Sequence, residues 1–172
     1  MIFQDAPSPN HPYHSQNNDI NLWFMYKCME IYHGEMKILK CVNSLKPRHE
    51  NPLLSDLLLK YSHVKSQQIE NLGKIFLIID LPLEGKKSPI IDFLVDECVR
   101  YKSLFPQNFE GHYHLSQTLL AINVVVQNSY SWISDMVQDS NLEDLSELVT
   151  ANLELENNVG IQLMDWSTSF DR

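Results

Sequence analysis

Glycine is scarce here, with five residues in 172. None builds a Gly-rich phosphate loop or a sharp elbow around a Ser or Cys, which argues against nucleotide-cradling enzymes and elbow-type hydrolases. Cysteine is scarcer still: Cys28, Cys41 and Cys98 are an odd number, fall within helical patterns and show no CxxC spacing. They read as reduced packing residues rather than bridges or zinc ligands. Basic clusters are missing as well. The 13 Lys and Arg are scattered among 22 acids, Lys86 and Lys87 are the one adjacent basic pair, and the net charge is −9. A surface that tracks phosphates needs the reverse, so no nucleic-acid partner is expected. Uninterrupted apolar runs stop at five residues, as at Ile75–Ile79, against the ~20 needed to span a bilayer. No basic start leads into an apolar run, so a soluble, cytoplasmic protein without a membrane partner is expected.

What the chain does have is helical periodicity. At 44% hydrophobic it suits one domain that buries roughly 70% of its unfolded surface. Residues 1–18, with Pro7, Pro9, Pro12 and the pair His11 and His14, lack apolar periodicity and read as a disordered, solvated N-terminal arm. Residues 19–172 read as the folded unit. A first helix is expected from about Asp19 to Lys46, stopped by Pro47. Asn51–Pro52 and Ser88–Pro89 each join a capping residue to proline at the first helical position, opening helices that run to about Ile79 and Phe105. Asn108 caps a fourth helix, to about Gln138. Ser140 with Glu143 has capping-box spacing for a fifth, reaching Trp166. Short connections favour antiparallel neighbours, so the fold class is an all-α, up-and-down bundle of four long helices plus a shorter third one.

In three of the five helices a glutamate interrupts the apolar stripe near its middle. The first stripe is Phe24, Cys28, Ile31, Glu35, Ile38 and Val42. The third reads Ile90, Leu94, Glu97, Tyr101 and Leu104, and the fifth Leu145, Val149, Asn152, Glu156, Val159, Leu163 and Trp166. Helix two offers Leu53, Leu57, Tyr61, Val64, Gln68, Leu72, Ile75 and Ile79. Helix four offers Leu119, Asn123, Val126, Tyr130, Ile133 and Val137, with no acid. A buried carboxylate is costly unless paired. Each acid therefore either sits at a stripe edge, reaching water or pairing with Lys or Tyr, or shares a polar centre with the others.

Acids on facing helices, with Glu-x-x-His pairs, are how dinuclear iron or manganese sites are built in bundles. The one Glu-x-x-His here, Glu30 to His33, lies off the Glu35 stripe and reads as surface. His63 lies beside its stripe, and His112 and His114 fall near a helix start.

Several segments resemble one family. Glu30-Ile-Tyr-His-Gly-Glu-Met-Lys-Ile-Leu-Lys40, Asn51-Pro-Leu-Leu, Gln68-Ile-Glu-Asn-Leu-Gly-Lys-Ile-Phe76 and Gly85-Lys-Lys-Ser-Pro-Ile-Ile-Asp-Phe-Leu-Val-Asp-Glu97 are similar to the YciE/YciF-like branch of bacterial ferritin-like proteins. The likeness covers most of residues 20–168 and is clearest in the first three helices. It implies a ferritin-like bundle, commonly dimeric and linked to stress responses, with acids and histidines at its centre. Position by position, Glu35, Glu97 and Glu156 match acids of the family's first, third and last helices. Where the family pattern has a His and then a Glu in helix two, this chain has Tyr61 and Val64. Where helix four has Glu-His-x-Glu before a Tyr, it has Asn123, Val124 and Val126 before Tyr130. Both histidine positions and three acids are lost, and valine ligates nothing.

Two readings follow. The favoured one is a non-enzymatic, ferritin-like homodimer with a vestigial metal site at Glu35, Glu97 and Glu156 and no expected cofactor. The alternative is a di-iron or di-manganese carboxylate protein, a ferroxidase or peroxide scavenger, in which His33 or His63 turns inward to complete the ligand shell.

Overall fold

The computed structural model describes residues 22–45, 52–104, 109–138 and 143–168. These form five helices: α1 (Leu22–Leu45), α2 (Pro52–Ile78), α3 (Pro89–Leu104), α4 (Phe109–Gln138) and α5 (Glu143–Thr168). No strand occurs among the described residues. Pro52 and Pro89 are the first residues of α2 and α3, where a missing N–H costs nothing. The 1–18 arm with His11 and His14, the breaks at Pro47 and Pro106, and the caps at Asn51, Asn108 and Ser140 lie outside the described residues.

The four long helices close a ring in the order α1, α2, α5, α4, and α3 packs against α1 and α4. Side-chain pairs give the directions. Glu35 meets Lys65 while Asn43 meets Ser62, so α1 and α2 are antiparallel. Lys65 meets Glu156 while Asn71 meets Asn152, and Asn123 meets Glu156 while Gln117 meets Ser167, so α5 is antiparallel to both α2 and α4. Helix α3 runs parallel to α1, with Asp92 beside His33 and Cys98 beside Cys41. The fold is thus an all-α, ferritin-like bundle of four long helices with a shorter fifth helix on its flank.

Residues 79–88 carry the chain from α2 to α3. Just past α2 the chain turns at Asp80, φ 53°, with Leu81 N–H bonded back to the Phe76 carbonyl at 2.9 Å, a Schellman-type stop in which Asp occupies the position glycine usually takes. The loop then lies on α1. Lys86 N–H donates to the Met29 carbonyl at 3.0 Å, and the backbone at Gly85 comes so near that an added Cβ would stand 2.9 Å from His33 Cβ.

Every residue of the stripes expected on α1, α4 and α5 is buried. Two other stripes need correction. On α3 the buried row is Ile91, Val95 and Cys98, whereas Ile90 and Leu104 are exposed and Glu97 is half-buried. This helix carries two apolar rows a quarter-turn apart, and spacing alone does not say which one meets α1. On α2, Leu53 is exposed and Val64 half-buried, while Leu54, Leu58 and Lys65 are buried. Packed between α1 and α5, α2 buries an arc wider than one stripe and centred about one residue later in each turn.

Candidate functional site: a lysine between two buried glutamates

Midway along the bundle, α1 presents Glu35, α2 presents Tyr61, Lys65, Gln68 and Asn71, α4 presents Asn123 and Tyr130, and α5 presents Asn152 and Glu156, all buried. Helical spacing gathers them: Tyr61, Lys65 and Gln68 follow steps of four and three, Asn123 and Tyr130 lie two turns apart, and Asn152 and Glu156 one turn apart.

Lys65 holds the centre and is fully buried. Its Nζ is 2.5 Å from Glu156 Oε2, 3.0 Å from Glu35 Oε2 and 3.3 Å from Glu35 Oε1, and stands 5.0 Å from the centre of the Tyr61 ring. The approach to Glu35 Oε2 is an ion-pair contact without hydrogen-bond direction, so that oxygen accepts no hydrogen bond. Amides and a phenol complete the network. Gln68 Nε2 donates to Glu156 Oε2 at 2.9 Å and to the Asn152 carbonyl at 3.0 Å. Asn123 Nδ2 donates to Glu156 Oε1 at 2.8 Å and to the Glu156 carbonyl at 2.9 Å. Tyr130 donates its hydroxyl to Glu35 Oε1 at 3.0 Å. Asn152 Nδ2 donates to Tyr130 Oη and to the Gln68 carbonyl, both at 3.2 Å, and its Oδ1 accepts from Asn71 Nδ2 at 2.8 Å. The Tyr61 hydroxyl and Gln68 Oε1 are buried without a partner.

Charge bookkeeping explains the electrostatics. Two carboxylates around one ammonium leave a net −1 in a low-dielectric core, which is costly. Burial pushes the Glu35 carboxyl from 4.5 up to about 7 against the pull of Lys65, and the Glu156 charge pushes the same way. Burial works to lower the Lys65 pKa, but Glu156 and Glu35 outweigh it and hold the ammonium above its usual range. Tyr61 and Tyr130 are raised well above 10 by burial and the two acids. The phenols stay protonated and act as fixed dipoles.

Of the three acids singled out in the sequence, the structure brings Glu35 and Glu156 together through Lys65. Glu97 takes a different partner: half-buried on α3, its Oε2 accepts from the exposed Arg100 of the same helix at 2.6 Å. Glu30 pairs with Lys27 at 2.6 Å. The His33 ring stands 3.2 Å from Asp92, which also takes Lys37 at 3.0 Å, and His63 is exposed. The ring of His114 stacks on Tyr101 with centroids 4.7 Å apart.

Lys65 is the residue that stripe-reading missed. Steps of three and four from Tyr61 to Gln68 pass through either Val64 or Lys65, and apolarity chose the valine. The signal was the acids themselves, which require a cation once buried.

A dinuclear metal does not fit this donor set. Divalent iron or manganese asks for carboxylates and imidazoles converging on it, whereas here the chain's own ammonium contacts both carboxylates. No group of three or more His, Cys, Asp or Glu able to hold a metal ion occurs among the described residues. No helix there is long and apolar enough to cross a membrane.

Fold and centre together define a ferritin-like helical bundle whose core charges are closed by a lysine. Residues 20–108, more than half of the chain, match the family described as a domain of unknown function, DUF892, and the chain belongs to that family. Its fold is similar to the crystal structure of the Escherichia coli stress protein YciF, with 17% identity, a TM-score of 0.80, and coverage of 86% of this chain and 94% of that one. It is also similar to YcfI of Rhodopseudomonas palustris, with 18% identity, a TM-score of 0.77, and coverage of 87% and 97%. No curated protein sequence matches the chain.

Proposed function

We propose that this protein is a non-enzymatic, cytoplasmic ferritin-like bundle serving a stress response, in which Lys65 replaces the metal of a dinuclear carboxylate centre. The observation that carries the reading is the ammonium in contact with both Glu35 and Glu156, 2.5 Å from the latter. A cation already bonded to both acids competes with any divalent ion for the same oxygens, and it is neither an electron donor nor a Lewis acid. The half-buried and exposed settings of Glu97, His33 and His63 support the same conclusion. The stress role follows the resemblance to the stress protein YciF, and three cysteines outside any disulfide suit a reducing compartment.

Elemental analysis of protein purified from cells grown with added iron or manganese tests the reading. The expected result is metal far below one ion per chain, and about two ions per chain would overturn it in favour of a ferroxidase or peroxide-scavenging centre.

The same reading carries a homodimer. The exposed outer side chains Ile90, Phe93 and Leu104 of α3 support self-association along a long helical face. Sedimentation equilibrium is expected to give twice the chain mass, and a monomer at micromolar concentration would refute it.

A further inference from the structure

We propose that Cys41 and Cys98 are an oxidation site, at which a hydroperoxide closes an intramolecular disulfide between α1 and α3. The geometry comes from helix register. Gly34 of α1 lies against Ile91 of α3, where an added Cβ would meet Ile91 Cδ1 at 2.6 Å. Seven residues further along each helix stand Cys41 and Cys98, two turns on and again side by side, their thiols hydrogen-bonded to each other. The small Gly34 lets the two parallel helices approach closely, as a disulfide with Cα atoms roughly 4.4–6.8 Å apart requires. Cys28 shares α1 but lies about 20 Å up its axis, out of reach of this pair.

Both thiols are buried and neither is in a disulfide. The hydrogen-bonded Cys41 thiol, and after it burial, push the Cys98 thiol far above its ordinary range, so little thiolate is present in the closed bundle and the pair resists attack while packed. Reaction therefore goes through an opened state, and α3 is the helix suited to open: the shortest of the five, set on the flank of the four-helix ring. In that state one thiolate attacks the O–O bond of hydrogen peroxide, giving a sulfenic acid and, after proton transfer, one water. The second thiol attacks the sulfenic sulfur, the S–S bond forms and a second water leaves. Two thiols are oxidised and one peroxide becomes two waters.

The test is hydrogen peroxide treatment of the full-length protein, followed by non-reducing peptide mapping. Expected are one Cys41–Cys98 cross-link with loss of two hydrogens, a free thiol at Cys28, reversal by dithiothreitol, and a Tm higher by about 10 °C. The cross-linking rate should level off at high peroxide, at the rate at which α3 opens. Cys28→Ala is expected to cross-link as the parent does. In Cys98→Ser the cross-link should vanish and Cys41 should be trapped as a sulfenic acid by dimedone. Thiols still free at both positions at the end of the reaction, oxidation to sulfinic acids without a cross-link, or linkage to Cys28 or between chains would each overturn the proposal. If Cys98→Ser fails to fold, the peptide maps of the parent and of Cys28→Ala still decide.

Discussion

Glu35 and Glu156 face the same ammonium but are unequally served. Glu156 receives Lys65 and Gln68 on one oxygen and Asn123 on the other. Glu35 receives Tyr130 and a longer Lys65 contact on one oxygen and no hydrogen bond on the other. Hydrogen bonds to a carboxylate favour its charged form, so the proton that makes the trio neutral settles on Glu35, in line with its rise to about 7. The sign for stability follows. An unfolded chain loses this proton above about pH 4.5 while the folded one keeps it to about 7, so unfolding releases a proton in that window and stability falls as pH rises through it. The loss is on the order of 3 kcal/mol. Urea titrations between pH 4.5 and 8 should show that decline in the parent and not in Glu35→Gln. An equal slope in both proteins would assign it to another group. Lys65→Met leaves two buried acids without a counter-charge and is expected to cost about 3–5 kcal/mol in the same titration at pH 7.

Among the elements, legibility followed the chemistry on the face of each helix. On α1, α4 and α5 the row picked out by steps of three and four lies in the core along its whole length, so it was readable residue by residue, down to Asn123, Tyr130, Asn152 and Glu156. α3 has apolar side chains on two faces, and nothing in Ile90 or Ile91 says which one meets Gly34. The proline-opened starts of α2 and α3 were equally plain. The end of α2 is different, since Asp80 is held at positive φ by the Schellman bonds rather than by its own preference. Non-glycine residues in this region carry strain of order 1 kcal/mol. Asp80→Gly is therefore expected to stabilise the protein by about 0.5–1 kcal/mol, seen as a higher midpoint in urea with an unchanged m-value. A lower midpoint would mean that the Asp side chain itself holds the turn.

For the molecule as a whole, the fold was legible because bundle topology needs little more than helix lengths, breaks and short connections. The centre was legible only in half. The acids could be found one helix at a time, but their cation comes from another helix, and a pairing across the bundle leaves no spacing in the sequence. Stability at high pH is where the whole centre acts together. Lys65, Tyr61 and Tyr130 are all held protonated beyond their ordinary values, so an unfolded chain releases their protons first and stability falls again above about pH 10. A melting series is thus expected to show two declines, near neutrality and in alkali, separated by a plateau.

The parallel course of α3 beside α1 bears on how the chain assembles. Its ten-residue lead-in, residues 79–88, is anchored to α1 at Met29 before α3 begins, so α3 docks last, on the flank that α1 and α4 form. The shortest helix then arrives late in folding and leaves early in unfolding. Its amides should exchange with solvent ahead of those of the four helices that surround Lys65.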